Sequence, residues 1–131
     1  MNAPAALLAI SVILLLVHIF LQAYLATREL GRSWNAGPRD GGEAPKSVYA
    51  GRAMRASANF RETYPAFLAL MLLGDFAPNN IMLTVAGGSI WVVARIIYIP
   101  LYLLGIPYIR SIVWLVSIFG LVIMLFAAFW R

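Results

Sequence analysis

Residues 5–27 read AALLAISVILLLVHIFLQAYLAT, an apolar run whose polar interruptions are Ser11, His18 and Gln22. As a helix it rises about 1.5 Å per residue and crosses the roughly 30 Å of a bilayer's hydrocarbon core. A helix of a soluble domain would be apolar along one stripe and polar elsewhere, and this run is apolar all round. It predicts a membrane-spanning first helix over about 4–30. A secretory signal peptide would begin with basic residues and carry a shorter apolar core. Met1 to Pro4 holds no basic side chain, so the expectation is a retained helix.

Three more helices follow downstream. Gly31 to Lys46 is rich in Gly, Pro, Asn and charge and reads as a solvated loop. The apolar run from Tyr64 to Ala77 is too short to span alone. Its helix is predicted to begin near Val48 and to carry polar residues through one leaflet, over about 48–75. Gly74, Pro78, Asn79 and Asn80 mark a turn. The third helix covers about 80–104, Gly105-Ile106-Pro107 breaks it, and the fourth covers about 108–130. The fold class is an all-α, integral-membrane four-helix bundle in a single domain over 1–131, with no internal repeat.

Composition agrees. The chain of 131 residues is 63% hydrophobic and 11% charged, against roughly a quarter charged in soluble domains. The net charge of +5 is read as membrane topology; a soluble nucleic-acid binder would not carry such apolar runs. The partners expected are the lipid bilayer and no nucleic acid. The chain has no cysteine, which excludes disulfides, thiolate nucleophiles and Cys-ligated metals. His18 alone makes no metal-binding pattern and is expected to pack or to hydrogen-bond between helices.

Arg28, Arg32, Arg39, Lys46, Arg52 and Arg55 cluster around the first loop, and Arg110 lies at the third. The second loop carries Asp75 and no basic residue; Arg131 is the one basic residue against the pattern. The positive-inside rule then puts loops one and three in the cytoplasm and both termini outside.

The polar residues that hydropathy would forbid carry more information. Arg52, Arg55, Asn59 and Glu62 are spaced three, four and three apart, one stripe of a helix. Arg55 and Glu62 are two turns apart, so either Asn59 bridges them or both pair with other helices, while Arg61 points the other way and can snorkel. Each charge facing lipid at mid-membrane costs about 2.5–3.5 kcal/mol on insertion scales, so the stripe must face protein or water. Arg95, Tyr98 and Tyr102 form a second stripe, with Pro100 between them expected to bend the third helix. Arg110-Ser111 opens the fourth helix. Its free N–H groups, the hydroxyl and the guanidinium together suit an anion. The same residues also fit a structural network that fixes helix register, and Arg110 fits a loop cation obeying the positive-inside rule.

The segment Arg52-Ala-Met-Arg-Ala-Ser-Ala-Asn-Phe-Arg-Glu-Thr-Tyr-Pro65 resembles the signature of the MAPEG proteins, the membrane-associated proteins in eicosanoid and glutathione metabolism. Their second helix carries Arg-Ala-x-x-Asn-x-x-Glu and then Pro, matched in order by Arg55, Ala56, Asn59, Glu62 and Pro65. Arg95, Tyr98, Tyr102 and then Arg110-Ser111 resemble the family's third-helix pattern and the start of its fourth helix. Leu21-Gln-Ala-Tyr24 is also similar. The resemblance implies a homotrimer with glutathione as co-substrate, bound between subunits near the cytoplasmic side. It implies that Arg55, Asn59 and Glu62, with Arg52 on the same stripe, hold the peptide. Tyr98 and Tyr102, with Arg95, line the site, and Arg110 and Ser111 face the thiol as the catalytic pair.

An ordinary thiol, with a pKa of about 8.5, is mostly protonated at neutral pH. A fixed cation beside a helix N-terminus favours the nucleophilic thiolate. The implied activity is that of a glutathione transferase or peroxidase, with a lipophilic small molecule as second substrate entering from the bilayer. This chain departs from relatives at Ser33 and Trp34, where arginines are expected, at Ala58, and at Trp114. Short loops resemble bacterial members and imply a bacterial inner membrane. Two other classes fit the sequence: a non-catalytic scaffold of the same fold, and a small four-helix cation exporter. The exporter would want an acid in the first helix, and none occurs from Met1 to Arg28.

Overall fold

Each apolar run folds as a helix because, in lipid, a backbone N–H or C=O has no other partner. A computed structural model describes residues 1–76 and 80–130. Five helices occur among them: α1 (Ala3–Leu30), α2 (Arg32–Ala36), α3 (Val48–Phe76), α4 (Ile81–Leu103) and α5 (Ile109–Phe129). Helices α1, α4 and α5 are each long and apolar enough to cross a membrane. Helix α3 is longer than any of them but too polar to qualify, and it packs against all three. The apolar side chains left outside the bundle, such as Ile13, Phe20, Ile112, Phe119 and Val122, suit lipid as the surrounding solvent.

Capping explains the starts of two helices. Asn2 Oδ1 accepts from the Ala5 N–H at 3.0 Å, with Pro4 in the first turn, and Asn80 Oδ1 accepts from the Leu83 N–H at 3.2 Å. Gly31, at φ 92°, ends α1. The stretch read as a plain loop then holds the short α2, where the Arg39 guanidinium lies 4.4 Å over the Trp34 ring and bonds back to Asn35. The Glu29 carboxylate accepts from the Lys46 and Ser47 N–H groups and ties the start of α3 to the end of α1. Gly74, expected in a turn, lies inside α3, buried against Thr84. Pro78 and Asn79 of that turn, and Arg131, lie outside the described residues.

The core is aromatic. Phe60, Tyr64 and Phe67 on one face of α3 meet Trp91 of α4, with the Phe67 and Trp91 rings stacked 4.1 Å apart. His18 is buried with its ring 4.7 Å from Phe60, so its role is packing. Ser11 and the Tyr64 hydroxyl share a hydrogen bond at 3.3 Å. These pairs set α1 and α3 antiparallel and place Phe60 and Arg61 level with the middle of α1.

Small residues let α4 and α5 approach closely, as between membrane helices generally. A Cβ added at Gly87 would sit 2.6 Å from the Gly120 carbonyl oxygen, and one at Gly120 would sit 2.7 Å from that of Gly87. Backbone cannot step aside as a side chain can. Gly87→Ala is therefore expected to cost about 1–3 kcal/mol, the range for overpacking. Thermal unfolding in detergent checks this, with Ala128→Gly, outside that contact, as the comparison.

Candidate functional site

One side of the bundle holds a half-open cleft of about 420 Å³ between α3, α4 and α5. Arg55, Ala58, Asn59 and Glu62 of α3 form one wall, Tyr98 and Tyr102 of α4 the floor, and Arg110, Ser111 and Trp114 of α5 the other wall. Arg55, Glu62 and Ser111 are exposed in the single chain. The polar wall spans two helical turns, about 10 Å at 1.5 Å per residue.

The α5 side is built by the turn before it. Gly105 (φ 69°) and Tyr108 (φ 61°) both adopt the left-handed region, and the Ile109 N–H reaches the Pro107 carbonyl at 2.7 Å. Tyr108, with ψ −60° and that i to i+2 bond across it, is the centre of a γ-turn, a strained conformation that costs on the order of 1–3 kcal/mol, stored two residues before Arg110. No side chain caps α5, and with the Ile109 N–H taken by Pro107 the N–H groups of Arg110 and Ser111 remain available. The Arg110 guanidinium lies 4.7 Å over the Tyr102 ring, whose neighbour Tyr98 is 5.4 Å away and tilted. The aromatic face holds the cation over the cleft by cation–π attraction.

The α3 wall is anchored from behind. Arg95 is buried to 1% exposure, and its two terminal nitrogens donate to Asn59 Oδ1 and Thr63 Oγ1, each at 2.7 Å. Asn59 therefore serves Arg95 and does not bridge Arg55 and Glu62, as the spacing allowed. Arg95 Nε has no hydrogen-bond partner, and its guanidinium lies between the Trp91 and Tyr98 rings, 5.7 and 5.4 Å from their centroids.

Of the nine residues singled out from sequence, seven line the cleft: Arg55, Asn59, Glu62, Tyr98, Tyr102, Arg110 and Ser111. Arg52 and Arg95 are not in its lining. Arg95 lies behind the α3 wall, and Arg52 donates to the Leu103 carbonyl at 3.0 Å, at the end of α4. Arg61, on another face, is exposed, with Nε 3.4 Å from the Ser57 carbonyl. The other two lining residues, Ala58 and Trp114, are positions at which the sequence departs from relatives, just before Asn59 and one turn beyond Arg110. Thr63, one turn after Asn59, was missed.

If Arg95 organises this wall, removing its acceptors must cost more than removing an ordinary hydroxyl. Thr63→Val is expected to lose roughly 1.5–3 kcal/mol, the range for hydrogen bonds to charged groups. In an Arg95→Met background the same change is expected to cost little. Thermal unfolding of the four proteins of that cycle measures the coupling.

Comparison with known families places these residues in context. The MAPEG family model matches residues 7–130, nearly the whole chain. No curated protein and no solved structure matches.

Proposed function

The chain belongs to the MAPEG family and is an integral membrane protein, and from that premise we propose that its cleft binds glutathione and activates the thiol. The observation that carries this reading is the pairing of two cations with one acid across the cleft. Arg110 and Ser111, at an α5 start that no side chain caps, stand across from Arg55, Asn59 and Glu62. Glutathione carries two carboxylates, one ammonium and a thiol. Arg55 and Arg110 suit its anionic groups and Glu62 suits its ammonium. The roughly 10 Å wall matches the reach of an extended tripeptide at about 3.3–3.6 Å per residue.

With its sulfur at the Arg110 end, the peptide presents the thiol to a permanent cation, a hydroxyl and free helix N–H groups. All three favour the thiolate. The thiolate then bonds to an electrophilic carbon of a lipophilic acceptor, which expels a leaving group or takes up a proton. Alternatively it attacks the outer oxygen of a lipid hydroperoxide. The alkoxide released takes a proton to become the alcohol, and a second thiol converts the sulfenic acid to disulfide and water.

The same reading makes the functional unit a homotrimer in a bacterial inner membrane, with the first loop cytoplasmic and both termini outside. Its support is on α3. Arg55, Arg61 and Glu62 are exposed in one chain, and Arg61 lies level with mid-bundle. Left in lipid, each charge would cost about 2.5–3.5 kcal/mol. Further copies of the chain would cover this face and close the cleft.

Thiolate formation tests the reading. Purified protein mixed with glutathione near neutral pH is expected to show thiolate ultraviolet absorbance. Arg110→Ala should abolish the signal, and Glu62→Gln should weaken affinity about tenfold, as expected for one lost ion contact of roughly 1.4 kcal/mol. Folded, trimeric protein that gives no signal would instead support a non-catalytic scaffold.

A further inference from the structure

Arg52 shares the α3 stripe with the cleft residues yet points past the cleft to the turn between α4 and α5. Its Nη1 donates to the carbonyl oxygen of Leu103 at 3.0 Å. Leu103 is the last residue of α4, so that carbonyl has no partner within the helix, and a cation there also meets the negative end of the helix dipole. The guanidinium continues over Gly105. A side chain at Gly105 would overlap it, since a Cβ there falls on Arg52 Nη2 and Cζ. Gly105 is thus required twice, for its φ of 69° and for the space Arg52 fills. The Tyr49 ring, 5.8 Å away, supports the guanidinium from the start of α3.

Six residues separate Leu103 from Arg110, and the segment contains two positive-φ positions, Gly105 and Tyr108. The turn's own hydrogen bonds fix its shape but do not tie it to α3. No side chain caps α5. Among the described residues, the Arg52 bond is the side-chain hydrogen bond that joins this turn to α3. We propose that Arg52 is a positioning residue, a latch that sets the distance and angle between the first turn of α5, with Arg110 and Ser111, and the Arg55–Glu62 wall of α3. The proposal rests on the reading of the cleft as a thiol site. It assigns Arg52 to placing the thiolate-stabilising groups, without contact to the ligand.

A latch and a direct ligand differ in what their loss does. Losing a direct contact to a carboxylate weakens binding and leaves the bound thiol's acidity alone. Losing a latch moves Arg110 and the α5 N-terminus away from the sulfur while the peptide contacts on α3 survive. The experiment uses the full chain in lipid nanodiscs, as wild type, Arg52→Ala, Arg52→Lys, Gly105→Ala and the Arg52→Ala/Gly105→Ala pair. Calorimetry gives the glutathione Kd, a pH series of thiolate absorbance gives the acidity of the bound thiol, and hydrogen exchange follows the hydrogen-bonded amides of residues 112–115 without ligand. Arg52→Ala is expected to raise the bound thiol's pKa by about one unit, a roughly tenfold loss of thiolate at fixed pH well below it. Measured below the bound thiol's pKa, where linkage leaves affinity untouched, its Kd should change by less than about threefold, under half of a 1.4 kcal/mol decade. The α5 amides should exchange faster. Gly105→Ala keeps every charge but displaces Arg52 and also strains the turn at φ 69°, so it should shift the thiol the same way and at least as far. The pair should be no worse than the worse single change, because both break one contact. Arg52→Lys, which can still reach the carbonyl, should fall between.

A raised Kd with unchanged thiol acidity would make Arg52 a direct ligand and overturn the latch. So would unchanged α5 exchange in Arg52→Ala. If wild type binds no glutathione, the cleft reading fails, and hydrogen exchange alone then decides the latch. If Arg52→Ala does not fold, Arg52→Lys carries the same comparisons.

Discussion

A guanidinium sealed inside an apolar helical bundle must be met by oxygen atoms, or its burial would cost several kcal/mol. Arg95 is met by Asn59 Oδ1 and Thr63 Oγ1, one helical turn apart on α3. Two bonds from one planar fork to successive turns of another helix fix both the rotation of α4 and its height against α3. With α4 so turned, Tyr98 and Tyr102 follow Arg95 on the same face and come to lie beneath Arg110. The Phe60, Tyr64, Phe67 and Trp91 cluster supplies the burial below this point. The Arg95 fork supplies the register, the best-attested use of a buried polar group in a core.

What the bundle leaves uncovered is informative in the same way. Helices α1 and α5 show lipid an apolar surface, whereas α3 turns Arg55, Arg61 and Glu62 outward. The α5 start has a strained Tyr108 and no cap. Backbone strain collects at functional sites. Membership of the MAPEG family gives these features a common setting in a membrane protein of glutathione-related type. Glutathione at the cleft and further copies against α3 are the proposed completions.

The helices were legible because bilayer thickness sets their length and the apolar runs are long. The stripes were legible because charges at helical spacing stand out among leucines. Two things were not. Spacing gives the face on which a side chain leaves its helix but not where a long side chain ends. Arg52 and Arg55, three residues apart, therefore looked equivalent, although one reaches the Leu103 carbonyl and the other lines the cleft. The residue that receives a buried charge can also be an inconspicuous one. Thr63 reads as an ordinary helix residue until Arg95 is placed against it. The short α2 was hidden for a related reason. Five residues carry too little periodicity to show, and the Trp34 and Arg39 contact that accompanies it depends on the folded loop.

The most direct measurement of the central claim is an experimental structure of the full chain in lipid nanodiscs at saturating glutathione. The account predicts one peptide per cleft, lying along Arg55, Asn59 and Glu62, with its sulfur within hydrogen-bond reach of Arg110 and Ser111. Arg95 should remain on Asn59 and Thr63 behind it. A cleft filled by lipid, or a peptide bound elsewhere with Arg110 turned to the membrane surface, would contradict it.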